Sequence, residues 1–120
     1  MSEQLLKILA VALGGALGSV ARYLLGLLPN PFPIPLWTFA VNLVGALLIG
    51  FIIGNQSKLG NYTFVALKTG FCGGFTTFST FSHETLTLFE QNRPFLATCY
   101  AVSSLILCII GVALGRKLSQ

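Results

Sequence analysis

Between Gly73 and Phe81 the chain reads Gly-Gly-Phe-Thr-Thr-Phe-Ser-Thr-Phe, placing two glycines, four hydroxyls and three evenly spaced phenylalanines in an otherwise apolar run. Each glycine lowers the cost of leaving helical geometry by about 1 kcal/mol relative to alanine. The hydroxyl oxygens stand beside any carbonyls that such a departure leaves unpaired. At bilayer depth a break persists only where protein buries it or water reaches it. The stretch therefore reads either as a place that holds a polar solute or as a kink packed through an aromatic face.

Asn42 is the one strongly polar member of a face shared with Ala46, Gly50 and Gly54. An unsatisfied amide at that depth costs several kcal/mol, so Asn42 must bond either a neighbouring helix or an ion whose water it replaces. Tyr100, Ser104 and Cys108 recur at the same four-residue interval. A single hydroxyl usually returns to its own backbone, whereas three polar groups in register resemble a ladder of weak donors. Phe78 and Phe81 can present ring edges, where the potential of an aromatic is positive. Amide, hydroxyls and ring edges together suit a small, strongly hydrated anion that sheds part of its water. The scarcity of full positive charge along this line limits trapping, and conduction requires that an ion leave as readily as it arrives. Gly14, Gly18 and Arg22 share one face of the first apolar stretch, which favours close backbone packing beside a fixed charge. Glu84 and His83, just after Phe81, sit either at a pore mouth or at a solvated helix end.

The elements that must position these residues follow from composition. Hydrophobic residues make up 54% of the chain and charged ones 8%, and the mean hydropathy is +0.83. A soluble chain of 120 residues could not hide that much apolar surface. A spanning helix needs about 20 apolar residues, and four stretches fit: 5–28, 36–54, 62–89 and 95–115. The expected fold is an all-α membrane protein, a single four-helix transmembrane domain. The first stretch reads as a retained helix and not a signal peptide, because Glu3 accompanies Lys7 and no small-residue cleavage site follows. Prolines at 29, 31, 33 and 35 close the first connection; polar residues 55–61 and charged residues 90–94 form the other two. Lys7, Lys58, Arg116 and Lys117 fall on one side of this arrangement against Arg93 on the other, which favours cytoplasmic termini. Arg22 and Lys68 lie inside span ends, where their stems let the charge reach the interface.

The net charge of +4 thus flanks membrane spans and does not point to nucleic acid. Cys72, Cys99 and Cys108 form no Cys-x-x-Cys pair and read as reduced and buried. With a single histidine besides, a redox enzyme is excluded. A small dual-topology multidrug transporter driven by proton exchange is the alternative function, but it needs a carboxylate deep in a helix, and the first two spans carry none. Four helices enclose too little space for a pore, so the path is expected between protomers.

Three segments resemble the Fluc (CrcB) family of bacterial fluoride channels: residues 14–23 (Gly-Gly-Ala-Leu-Gly-Ser-Val-Ala-Arg-Tyr), residues 38–45 (Thr-Phe-Ala-Val-Asn-Leu-Val-Gly) and residues 70–81 (Gly-Phe-Cys-Gly-Gly-Phe-Thr-Thr-Phe-Ser-Thr-Phe). The resemblance spans nearly the whole chain. It implies a multi-pass protein of the bacterial plasma (inner) membrane, with a broken third helix, assembled as an antiparallel dual-topology homodimer. Two fluoride pathways would run along the subunit interface and let cytoplasmic fluoride out passively, which reduces fluoride toxicity. By the same resemblance Asn42, Phe78 and Phe81 line the pathway, the rings as an aromatic box, and Tyr100, Ser104 and Cys108 form its hydroxyl track. Thr38, Ser79 and Thr80 are further polar candidates. Gly73 and Thr76 would supply carbonyls to a structural sodium ion on the dimer axis, in keeping with the preference of a hard cation for oxygen dipoles. Cys108 stands where family members often carry a hydroxyl, and a thiol is the weaker donor.

Overall fold

The computed structural model describes residues 1–120, and its regular structure is entirely helical. In chain order the elements are α1 (Glu3–Gly26), α2 (Leu36–Gly54), a 3-10 turn (Gln56–Lys58), α3 (Asn61–Val65), a π-helix (Ala66–Cys72), α4 (Gly73–Phe75), α5 (Phe78–Glu90) and α6 (Pro94–Leu118). Ser2 caps α1 by accepting the Leu5 N–H at 3.1 Å, and Pro94 opens α6 where no backbone donor is needed. Helices α1, α2 and α6 are long and apolar enough to cross a membrane. At 1.5 Å per residue, α1 reaches about 36 Å, against about 30 Å of hydrocarbon.

Residues 62–89 are not one helix. The π-helix closes its hydrogen bonds over five residues where an α-helix closes them over four, and helical geometry then stops at Phe75. Thr76 (φ −89°, ψ 159°) and Thr77 (φ −151°, ψ 120°) are extended, and α5 restarts at Phe78. Only three helices therefore meet the length and hydropathy needed to span; the remaining apolar stretch, third in chain order, is divided at its middle.

Two packings hold the bundle. Helix α2 lies along α6 in the most extensive contact of the fold, and α1 lies along the π-helix and α4. In the second, a Cβ at Gly14 would collide with the Ala66 carbonyl oxygen and one at Gly18 with that of Phe71. The two backbones therefore touch with no side chain between them, the arrangement that small residues permit in membranes. The proline-rich connection is pinned as well. Trp37 Nε1 donates to the Pro29 carbonyl at 3.1 Å, and Asn30 bonds both the Phe32 N–H and the Ile34 carbonyl.

Only 17 of 120 residues are buried, so most apolar side chains of the protomer face outward, toward lipid or another chain. Where α5 meets α6, Leu88, Ala97 and Tyr100 form a small core with Phe39 and Phe81 against it. All three cysteines are free thiols, but the expectation that all are buried holds only for Cys72: Cys108 is half-buried and Cys99 exposed. α6 packs on α2 and α5 from one side only, and Cys99 occupies the other.

Candidate functional site

The interruption of the third span is stitched to α2 by one side chain. Asn42 Oδ1 accepts the Thr77 N–H at 2.8 Å, and its Nδ2 donates to the Thr77 carbonyl at 3.1 Å. The carboxamide thus imitates a backbone partner and satisfies both main-chain groups of an extended residue that no helix or sheet serves. One Nδ2 hydrogen remains for another acceptor. The Thr77 side chain acts at the same point, its Oγ1 accepting the Thr80 N–H at 3.2 Å as the N-cap of α5.

These bonds change the state of the neighbouring carbonyls. A continuing α-helix would send the Thr77 N–H to the Gly73 carbonyl and the Thr80 N–H to that of Thr76. Both donors go elsewhere, so the Gly73 and Thr76 oxygens are released together. Two neighbouring carbonyls fare differently. Cys72 accepts both the Thr76 N–H at 3.0 Å and the Thr76 hydroxyl at 2.7 Å, and Gly74 accepts from Arg22 Nε at 3.0 Å. Arg22 therefore does more than flank the glycine face of α1: its guanidinium reaches the broken end and bonds a carbonyl there. Hydrogen bonds to charged groups contribute about 1.5–3 kcal/mol. Arg22→Gln is accordingly expected to lower the thermal midpoint of the detergent-solubilised protein by that equivalent; an unchanged midpoint would show that the bond adds nothing.

Beside the break lies an open groove of about 600 Å³. Its walls bring together Asn42, Gly73, Thr76, Phe78, Phe81, Ser104 and Cys108 from α2, the third span and α6, along with Lys68, Cys72 and Thr77. Phe78 and Phe81 stand with centroids 5.6 Å apart and planes at 47°, so their edges and faces point in different directions. Phe81 in turn packs on Tyr100, centroids 5.3 Å apart. Phe78 is 76% exposed on the protomer. The hydroxyls of Tyr100 and Ser104 are buried without any hydrogen-bond partner, which is unusual for groups whose desolvation is costly.

The remaining candidates lie elsewhere. Thr38 and Thr80 line a second cavity of about 230 Å³ with Arg22, and Thr77 is common to both cavities. Tyr100, Ser79 and Glu84 line neither. Tyr100 sits in the small core, and exposed Ser79 lies 3.4 Å from the Thr77 hydroxyl. Glu84 Oε1 accepts from the Thr38 hydroxyl at 2.6 Å, which ties α5 to the start of α2 and engages one oxygen of the carboxylate. Gly14 and Gly18 are buried at the α1 contact, away from the groove.

Two residues of the site escape the sequence reading. Thr77 is visible there only as one hydroxyl among several, although a threonine just before a helical run is an N-cap signal. Lys68 reads from sequence as an interfacial charge and lies instead against the groove.

Known proteins with this sequence pattern bear on the site. Residues 9–116 match the family described as CrcB-like protein, Camphor Resistance (CrcB). The chain is 42% identical over 113 residues to a protein of Ignicoccus hospitalis named fluoride-specific ion channel FluC, with 92% of each chain covered. It is 44% identical over 121 residues to the protein of that name from Methylobacillus flagellatus, with 93% of each covered, and 43% identical over 116 residues to that of Gloeothece citriformis, covering 92% of this chain and 94% of the relative. With an all-helical fold, three membrane-length helices and a match over nearly its full length, the chain belongs to the CrcB family of membrane proteins.

Proposed function

We propose that this protein is a fluoride channel: it lets cytoplasmic fluoride pass out through the groove beside the broken third span, without chemical transformation and without an energy source. The groove supports this reading most directly, because it gathers neutral donors and ring edges and leaves one of them, the Ser104 hydroxyl, buried and unpaired. An anion leaving water needs replacements for its hydration shell. The free Nδ2 hydrogen of Asn42, the Ser104 hydroxyl and the rims of Phe78 and Phe81 are such replacements, each weak enough to release the ion again. The names of the relatives point the same way.

The channel is a pair of identical four-span protomers inserted antiparallel, each crossing for the third time through α3, the π-helix, α4 and α5 together. The open groove and the exposed Phe78 favour a second copy as the missing wall. Sodium is the structural ion of this pair. The Gly73 and Thr76 carbonyls, released from their helical donors, have the oxygen chemistry to hold it, and its charge would offset the cost of leaving them unpaired. We place the protein in the plasma (inner) membrane of a bacterium.

Fluoride release from liposomes containing the purified protein, followed with a fluoride electrode, tests the proposal. Release well above that from empty vesicles is expected; release no faster, with a drug-like cation driving proton exchange instead, would replace the channel with a transporter. Phe78→Ile should slow release about tenfold, since an aromatic contact contributes about 0.5–1.5 kcal/mol and 1.4 kcal/mol is a factor of ten in rate. Being exposed on the protomer, Phe78 should not alter its fold when replaced. An undiminished rate would remove the ring from the path.

A further inference from the structure

Lys68 is the only charged residue lining the larger groove. It is half-buried in the π-helix, and its ammonium stands 5.6 Å from the centroid of the Phe64 ring. No carboxylate neutralises it. The one salt bridge in the protein joins Lys7 to Glu3, Glu84 is bonded to Thr38, and Glu90 closes α5; none of the three acids lines the groove. An uncompensated positive charge beside an apolar wall projects its field further than one in water, and a cleft with low-dielectric walls focuses that field. Lys68 precedes Thr76 by eight residues, which sets its backbone about 12 Å along the axis from the break. Its ammonium lies toward Phe64, a turn further still from the break, so it is placed to attract an anion toward the neutral donors and not to sit among them.

We infer that Lys68 is an anion collector at the mouth of the groove, raising the local fluoride concentration without taking part in coordination. The inference rests on the proposed fluoride conduction, and in an antiparallel pair it puts one such charge on each side of the membrane. Electrostatic focusing is sensitive to salt: the Debye length is about 30 Å at 0.01 M and about 3 Å at 1 M.

The test is fluoride release from liposomes at subsaturating fluoride, with wild type, Lys68→Gln, Lys68→Met and Lys68→Arg compared at ionic strengths of about 10 mM and about 1 M. At low salt both neutral variants should be about three- to tenfold slower, near the lower end of what focusing achieves, while Lys68→Arg keeps the wild-type rate. At high salt all four should converge. Neutral variants that match wild type at low salt, or a deficit that persists unchanged at high salt or in Lys68→Arg, would overturn the collector role while leaving conduction intact. A wild type that releases no fluoride would overturn conduction itself and the inference with it. Gel filtration and thermal midpoints of each variant identify any loss due to folding, and the neutral variant that retains its fold is the one scored.

Discussion

Asn42→Leu should disable the protein and destabilise it together. Leucine has the branching and heavy-atom count of asparagine, but the Thr77 N–H and carbonyl would lose the two bonds that now satisfy them. A buried backbone group left unpaired costs about 1–3 kcal/mol, so the pair amounts to about 2–6 kcal/mol, a large part of the stability of a small domain. The thermal midpoint in detergent should fall steeply and fluoride release should be lost. Asn42→Asp separates the two effects. Its carboxylate still accepts the Thr77 N–H but has no N–H to donate, and it adds negative charge to the groove. That variant should keep more of its stability than Asn42→Leu while conducting as poorly. If Asn42→Leu instead melts like wild type, Thr77 does not depend on this amide.

Gly18→Ala should have the next largest effect, although it adds a single methyl group. That methyl would meet the Phe71 carbonyl oxygen and approach the Phe75 N–H, both main-chain atoms of the helices opposite. No side chain can rotate aside to make room, so α1 must move off the π-helix. Overpacking costs about 1–3 kcal/mol, and the upper end applies where backbone is the obstacle. The displacement should also pull Arg22, one turn further along α1, away from the Gly74 carbonyl. A drop in thermal midpoint equivalent to about 3 kcal/mol is expected, with fluoride release reduced alongside it. Gly26→Ala is the control: nothing lies within 4 Å of an added Cβ there, and the midpoint should hardly change. Equal midpoints for the two variants would refute the close contact.

How far the sequence speaks for this structure depends on the range of the interaction. Helical class and membrane character are local sums, visible in uninterrupted apolar runs bounded by proline and polar turns. The requirement that Asn42 be satisfied is equally visible, since it follows from the cost of a buried amide. Its partner is not: Thr77 lies 35 residues away, and only the folded bundle decides between another helix and an ion. The same holds for Arg22, whose bond to Gly74 crosses 52 residues. The π-helix is the least legible element. Ala-Leu-Lys-Thr-Gly-Phe-Cys contains nothing that favours it over an α-helix, and its geometry goes with the close fit of these carbonyls against Gly14 and Gly18. The alignment of Tyr100, Ser104 and Cys108 on α6 is legible from their interval, but not that Tyr100 would face the small core while the other two line the groove.

The π-helical segment also gives the third span an unusual latitude. Bonding over five residues accommodates one more residue than an α-helix would in the same stretch, so what lies downstream keeps nearly the azimuth it would have without the surplus. Removing a single residue between 66 and 72 would return the segment to ordinary winding and leave Gly73 and Thr76 facing nearly as they do, whereas one residue removed from an α-helix turns all that follows by about 100°. This stretch of the third span can thus change in length without turning the interruption away from the groove, and a scan by substitution alone would pass over it.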